Sequence, residues 1–142
     1  MIRIELLPWD RARAAAAPIR LLVFVEEQRV PAEIEMDEHD ADCVHALAYD
    51  EAGKAIGTGR LLPDGHIGRM AVMTAWRGQG AGGMILERLV EQAKLRGDQV
   101  VVLSAQVHAV RFYRGHGFVE EGEVYLEAGI KHQRMRRVLK VL

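Results

Sequence analysis

Apolar and polar residues alternate at the start of the chain: Ile2, Ile4 and Leu6 are separated by Arg3 and Glu5, and Pro8 closes the run. Period two is the mark of a half-buried strand. The period then lengthens. Asp10 is placed to cap a helix, and Ile19, Leu22, Val23 and Val25 mostly keep helical spacing until Val30-Pro31 stops it. Pro18 inside this stretch predicts a kink or the first position of a second helix. Strand patterns return at residues 43–49 and 55–62, joined by a turn around Gly53, and at 66–73 after the turn Pro63-Asp64-Gly65. These three are expected to be antiparallel.

Ile85, Leu86, Leu89 and Ala93 lie on one side of an amphipathic stretch, 84–96, that predicts one long helix ending at Gly97. The Val-rich run 99–104 fits a strand buried on both faces. Residues 107–116 predict a short helix before Gly117, and 118–125 with 132–139 predict a closing strand pair around Gly129. The order β, α(α), β, β, β, α, β, α, β, β describes an α/β fold: a mixed sheet with helices on both faces. Strands 66–73 and 99–104 are expected to be parallel neighbours through a right-handed crossover. No repeat or linker interrupts this order, so one domain is expected over residues 1–142.

Between the strand at 66–73 and the helix at 84–96 stands Arg77-Gly78-Gln79-Gly80-Ala81-Gly82-Gly83. A strand feeding a glycine-rich turn that opens a helix makes a phosphate cradle. A ligand can approach the bare backbone, and the first N–H groups of the helix lack partners and carry the positive end of its dipole. An anionic, diphosphate-bearing ligand is expected. Gly78, Gly80 and Gly83 also spell G-x-G-x-x-G, but a dinucleotide site requires the first strand of a βαβ unit and an acid near the end of the next strand. Here that strand runs into Ser104-Ala105-Gln106. A nucleotide P-loop is excluded because no Lys-Ser or Lys-Thr follows the glycines. The remaining alternative is that the glycines serve only a tight turn and close packing.

Composition narrows the partners. The chain has 142 residues, is 49% hydrophobic and carries a formal net charge of −1, which suits an ordinary globular core and gives no basic footprint for nucleic acid. No apolar run approaches a membrane span and the N-terminus lacks a signal-peptide layout, so a cytoplasmic protein is expected. The single Cys43 lies in an apolar alternation and suits a buried hydrophobe better than a nucleophile. The histidines show no tight ligand spacing, so no metal is expected.

The element order, the loop Arg77-x-x-Gly80-x-Gly82 after Arg69-Met70-Ala71-Val72, and the later run Phe112-Tyr113-Arg114-Gly115-His116-Gly117-Phe118 together resemble the GNAT superfamily of N-acetyltransferases. Val23 through Pro31, Leu103-Ser104-Ala105-Gln106 and Gly129-Ile130-Lys131-His132 look like its ElaA-type, or YjcF-like, subgroup. The resemblance implies the acyl-CoA N-acyltransferase fold, a mostly antiparallel twisted sheet with a central parallel pair. It implies acetyl-CoA as cofactor, wedged between that pair where a bulge splays the strands. Backbone groups of Met70, Ala71 and Val72 would then orient the thioester, with one N–H stabilising its oxyanion. Gly78, Gln79, Gly80, Ala81, Gly82 and Gly83 would hold the pyrophosphate, and Arg77 would add charge or brace the loop. Many family members carry Asn where this chain has His108, which would contact the pantetheine arm or cap the helix. Tyr113 falls where the family places the tyrosine that protonates the leaving thiolate.

The attacking amine must lose a proton. Glu26, Glu35, Asp37 and His132 are candidates to take it, and Glu26 or Glu35 is favoured because acids outnumber Arg29 throughout residues 26–42, a field that attracts a cationic amine. The bland alternative is a solvated acidic loop. Two classes of function follow. One is an acetyl-CoA-dependent N-acetyltransferase acting by direct attack on a primary amine of a small molecule or a protein. The other is a noncatalytic acyl-CoA-binding regulatory module. The acceptor is not legible, and a homodimer stays open.

Overall fold

Alternation along one strand decides where the helices go. In β2 (Val44–Tyr49), Ala46 and Ala48 join the cluster formed by Ile85, Leu86 and Leu89, whereas Leu47 between them packs with Ala12 and Ala16. Successive strand residues point to opposite faces, so α1 (Trp9–Arg20) and α2 (Ala81–Leu95) cover opposite sides of the sheet. Small residues let α2 lie close. A Cβ built on Gly57 or Gly59 would stand 2.9 or 2.8 Å from Ile85 carbons. Each buried Leu or Ile on this helix contributes about 1.5–3 kcal/mol.

The computed structural model describes residues 1–30 and 37–139. β1 (Arg3–Pro8) pairs with β2, β2 with β3 (Ala55–Leu61), and β3 with β4 (His66–Val72), all antiparallel. β4 is parallel to β5 (Val100–Gln106), which pairs antiparallel with β8 (Ile130–Val138). Two short strands, β6 (Val119–Glu120) and β7 (Tyr125–Glu127), complete the sheet on β8. The parallel pair joined through α2 is the expected central pair.

Local details depart from the sequence reading. Asp10 caps nothing: the helix starts at Trp9 with Pro8 in the cap position, and Asp10 sits in the first turn, favourable there for a negative charge. Pro18 neither breaks the helix nor starts another. It lies in the last turn of α1, beyond which residues Leu21–Glu27 continue as a π-helical segment. The long helix begins at Ala81, three residues before its first large apolar side chain. The strand expected at 118–125 is split between β6 and β7, because the Gln133 side-chain amide donates to the carbonyls of Glu121 and Gly122 at 3.1 and 3.0 Å and so satisfies backbone that leaves the ladder. The short helix is a 3-10 turn, Val107–Ala109, followed by α3 (Val110–Gly115).

Candidate active site

β4 and β5 pair only at His66 with Val102 and at Ile67 with Leu103. Beyond Ile67 each strand stays bonded to its outer neighbour, β4 to β3 and β5 to β8, and a gap opens between them. The cause is a bulge in β4. Ala71 faces Thr58 and Gly68 faces Arg60, so Arg69 and Met70 together oppose Gly59. Arg69 takes a left-handed φ of 49°, which bends the strand away. The backbone edges facing the gap lose their sheet partners, as an acyl-carrier arm would require.

The glycine loop lies beyond the end of β4. A short 3-10 turn, Thr74–Trp76, precedes it, and Gly80 closes it as the residue before α2 with a φ of 90°. The first backbone closure is Met84 N–H to the Gly80 carbonyl at 3.0 Å, so the N–H groups of Ala81, Gly82 and Gly83 point out of the helix start. A Cβ on Gly78 or Gly80 would meet no atom within 4 Å; it would project into open space before the helix. Gln79 donates to the Ala75 carbonyl at 3.1 Å. Arg77 braces the loop: its guanidinium reaches both carboxylate oxygens of Glu27 at 3.0 and 2.9 Å and the Val72 carbonyl at 2.9 Å. That carbonyl, one of the backbone groups expected to face the ligand, is therefore already engaged, while Ala71 pairs with Thr58.

A cavity of about 490 Å³ fills the gap between the strands. Met70, His108 and Tyr113 line it, together with Arg60, Arg69, Ser104, Glu127 and His132. Tyr113 of α3 is held by edge-on rings, Phe112 at 5.0 Å and Phe118 at 6.0 Å between centroids. Burial pushes its hydroxyl up to about 12, so it stays protonated at neutral pH. His108 does not cap a helix. Its Nε2 donates to the Gln106 side chain at 2.7 Å, and the Gln106 amide donates to Gln28 at 2.7 Å, a polar chain along the cavity wall.

The sequence profile described as "Acetyltransferase (GNAT) domain" matches residues 16–139. The chain belongs to the GNAT acetyltransferase family. It is 39% identical over 123 residues to the uncharacterized N-acetyltransferase YjcF of Bacillus subtilis, covering 84% of this chain and 87% of YjcF. Among solved structures, an acyl-CoA N-acyltransferase from Pseudomonas aeruginosa superposes with a TM-score of 0.85 at 34% identity, covering 97% of this chain and 100% of that one. Escherichia coli ElaA superposes with a TM-score of 0.85 at 30% identity, covering 96% and 99%. The chain is thus a GNAT-type N-acetyltransferase, an acyltransferase that uses acyl-CoA.

The residues present in this acetyltransferase fit that donor. The open space before Gly78 and Gly80, the outward N–H groups of α2 and the splayed strand edges lie in sequence from β4 into α2. The acid positions behave differently. Glu26 lies on the π-helical segment and is exposed, between the lining residues Phe24 and Gln28 but not itself on the cavity wall. Glu35 lies outside the described residues. Asp37 is committed elsewhere: it accepts from Arg60 at 2.7 and 3.0 Å and from Arg69 at 3.2 Å. Those Arg60 bonds, working against burial and aided by both positive charges, hold its carboxyl down to about 2. Asp40 accepts from Arg20 at 2.8 and 3.1 Å and from Arg60 at 2.8 Å, with Arg20, Arg60 and Asp40 all buried. Part of the acidic segment is therefore a buried ionic knot rather than a field for attracting amines. Its cue in the sequence was weak, since Arg20 and Arg60 lie twenty residues on either side of Asp40.

Proposed function

We propose that this acetyltransferase moves an acetyl group from acetyl-CoA directly to a primary amine. The observation that carries the reading is the gap between β4 and β5, which the Tyr113-lined cavity fills and whose β4 side leads on into the glycine loop. A thioester lying along such a gap would have its pyrophosphate at Gly78 to Gly83 and its acetyl group near Met70, with Ala71 and Val72 shaping the strand behind it. In direct attack the amine nitrogen forms a bond to the acetyl carbon and the carbon–sulfur bond breaks. A backbone N–H of the splayed strand stabilises the charge that develops on the carbonyl oxygen. Tyr113 donates its hydroxyl hydrogen to the departing sulfur. With the hydroxyl near 12 and an ordinary thiol near 8.5, full transfer in the resting site is uphill by roughly 5 kcal/mol. The proton moves best in step with loss of a proton from the attacking nitrogen, and a dry cleft raises the thiolate as well.

His108 would steady the donor's amide-bearing arm through its link to Gln106 and Gln28. Arg77 acts on the donor through the loop it braces. Cys43, buried and pushed up to about 11 by that burial, is an inert thiol that suits a reducing compartment such as the cytoplasm. The test is calorimetry with acetyl-CoA followed by a CoA-release assay across small amines, amino acids, polyamines and lysine peptides. Saturable acetyl-CoA binding and release of CoA that depends on one acceptor class are expected. Failure to bind acetyl-CoA while a longer acyl-CoA binds would reassign the donor.

A further inference from the structure

The hairpin joining β7 to β8 turns in two residues. Glu127 pairs with Ile130, and between them Ala128 and Gly129 take left-handed φ values of 52° and 77°. Two such residues give the turn the twist of its strands, although Ala128, which carries a Cβ, is strained there by about 1 kcal/mol or more. The strain has a local consequence. The turn presents the Ile130 carbonyl to His132, whose Nδ1 lies 2.7 Å from it. A carbonyl only accepts, so Nδ1 carries the proton, and in the neutral ring the lone pair is on Nε2. The Glu127 carboxylate stands 3.5 Å from that nitrogen, too far for a good hydrogen bond. The ring stacks on Tyr125 with centroids 6.1 Å apart and is 7% exposed. Glu127, Ala128, Ile130 and His132 all line the cavity that Tyr113 lines.

We infer that His132 is the catalytic base of this acetyltransferase, receiving the acceptor amine's proton at Nε2, with Glu127 holding the imidazolium so formed. The inference rests on the acetyl-transfer reading given above. An ammonium acceptor gives one proton to Nε2 and becomes a nucleophile. Its nitrogen then bonds to the acetyl carbon, the carbon–sulfur pair leaves with sulfur, and sulfur takes the Tyr113 proton. The second nitrogen proton, lost as the amide forms, restores the Tyr113 hydroxyl. His132 returns its proton to solvent, so the turnover yields amide, CoA thiol and one released proton. Other titratable or charged groups facing the cavity are His66, His108, Arg60 and Arg69. The last two are engaged by Asp37, and His108 donates to Gln106, so neither Asp37 nor His108 is set up in the same way as a free acceptor of protons.

Two measurements test this. Long-range proton–nitrogen NMR on the wild-type protein reads the tautomer without any substrate: a neutral His132 protonated on Nδ1 is expected, and an Nε2–H tautomer would overturn the proposal. In the CoA-release assay, His132→Gln should lower kcat/KM about a hundredfold at neutral pH. It should also recover as pH approaches the amine's own pKa, while acetyl-CoA affinity stays unchanged. Glu127→Gln should lower kcat/KM without changing acetyl-CoA affinity, since no carboxylate then faces the imidazolium formed during the reaction. A wild-type pH profile for His132→Gln together with wild-type kcat/KM for Glu127→Gln would sink the assignment. Absence of acetyl-CoA binding by the wild type would instead sink the acetyl-transfer reading, with the tautomer result unaffected.

Discussion

In the proposed reaction, Tyr113 is where a single atom carries the most mechanism. Tyr113→Phe keeps the ring that packs against Phe112 and Phe118 and removes only the hydroxyl on the cavity wall. Acetyl-CoA affinity should hold while kcat falls about a hundredfold, the usual scale for a general acid. An acyl donor with a better leaving thiolate should lose less; equal losses would mean that the hydroxyl only positions the donor. Turnover within about twofold of wild type would remove Tyr113 from the reaction. Tyr113 was singled out only through family resemblance, because an aromatic pair on a short helix ordinarily reads as core packing. The strained residues were not legible. Arg69 and Ala128 line the cavity at left-handed φ, and Arg29, at 61°, stands between the lining residues Gln28 and Val30. Such angles are ordinarily glycine's, so side chains at these positions give no sequence cue, and their grouping around one cavity marks a site whose shape is enforced.

At the scale of elements, the glycine loop and α2 act as one unit. Gly80 needs its φ of 90°, and a side chain there would project into the space before the helix. Gly80→Val should weaken acetyl-CoA binding at least tenfold in calorimetry, with strain adding about 1 kcal/mol of destabilisation. Wild-type affinity in a folded variant would remove the loop from donor binding. The loop's presence and place were legible, but the helix start was not. Apolar periodicity begins at Met84, while the first turn, Ala81-Gly82-Gly83, is chosen for exposed backbone and carries no such pattern. The bulge in β4 was expected only through family resemblance. Its residues, Arg69 and Met70, look like any strand pair, and the register shift appears only once β3 is laid beside them. Pro18 shows the opposite error. A helix near its end can seat a proline when the following turn widens, as it does at Leu21.

The whole molecule is a sheet pulled apart at its centre, with one apolar core running beneath both halves and a buried ionic cluster on the β4 side. Strand order, the parallel pair and the opposed helices were legible because apolar alternation reports burial directly. The ionic knot of Arg20, Asp37, Asp40, Arg60 and Arg69 was not, because charges in a sequence look alike whether solvated or buried. The knot ties α1, the 3-10 turn Glu38–Asp42, β3 and β4 together on the cavity side. It makes stability depend on acid in a definite direction. Hydrogen bonds from Arg60 outweigh burial and hold the Asp37 carboxyl near 2 against an unfolded value of 3.8. At Asp40 burial opposes the same tendency, and bonds from Arg20 and Arg60 still lower it. A carboxyl depressed on folding gives its stabilisation in full above its unfolded pKa and loses it as pH falls through its folded pKa. Unfolding free energy should therefore decline between about pH 5 and pH 2, with Asp37 alone supplying roughly 2 kcal/mol of the loss. Asp37→Asn should flatten the decline by about that amount. Asp40→Asn, which takes the shared carboxylate from two buried guanidiniums, should cost about 3–5 kcal/mol at neutral pH. Denaturant titrations at several pH values measure both effects; equal acid slopes in wild type and Asp37→Asn would show that the Asp37 carboxylate does not stabilise the fold.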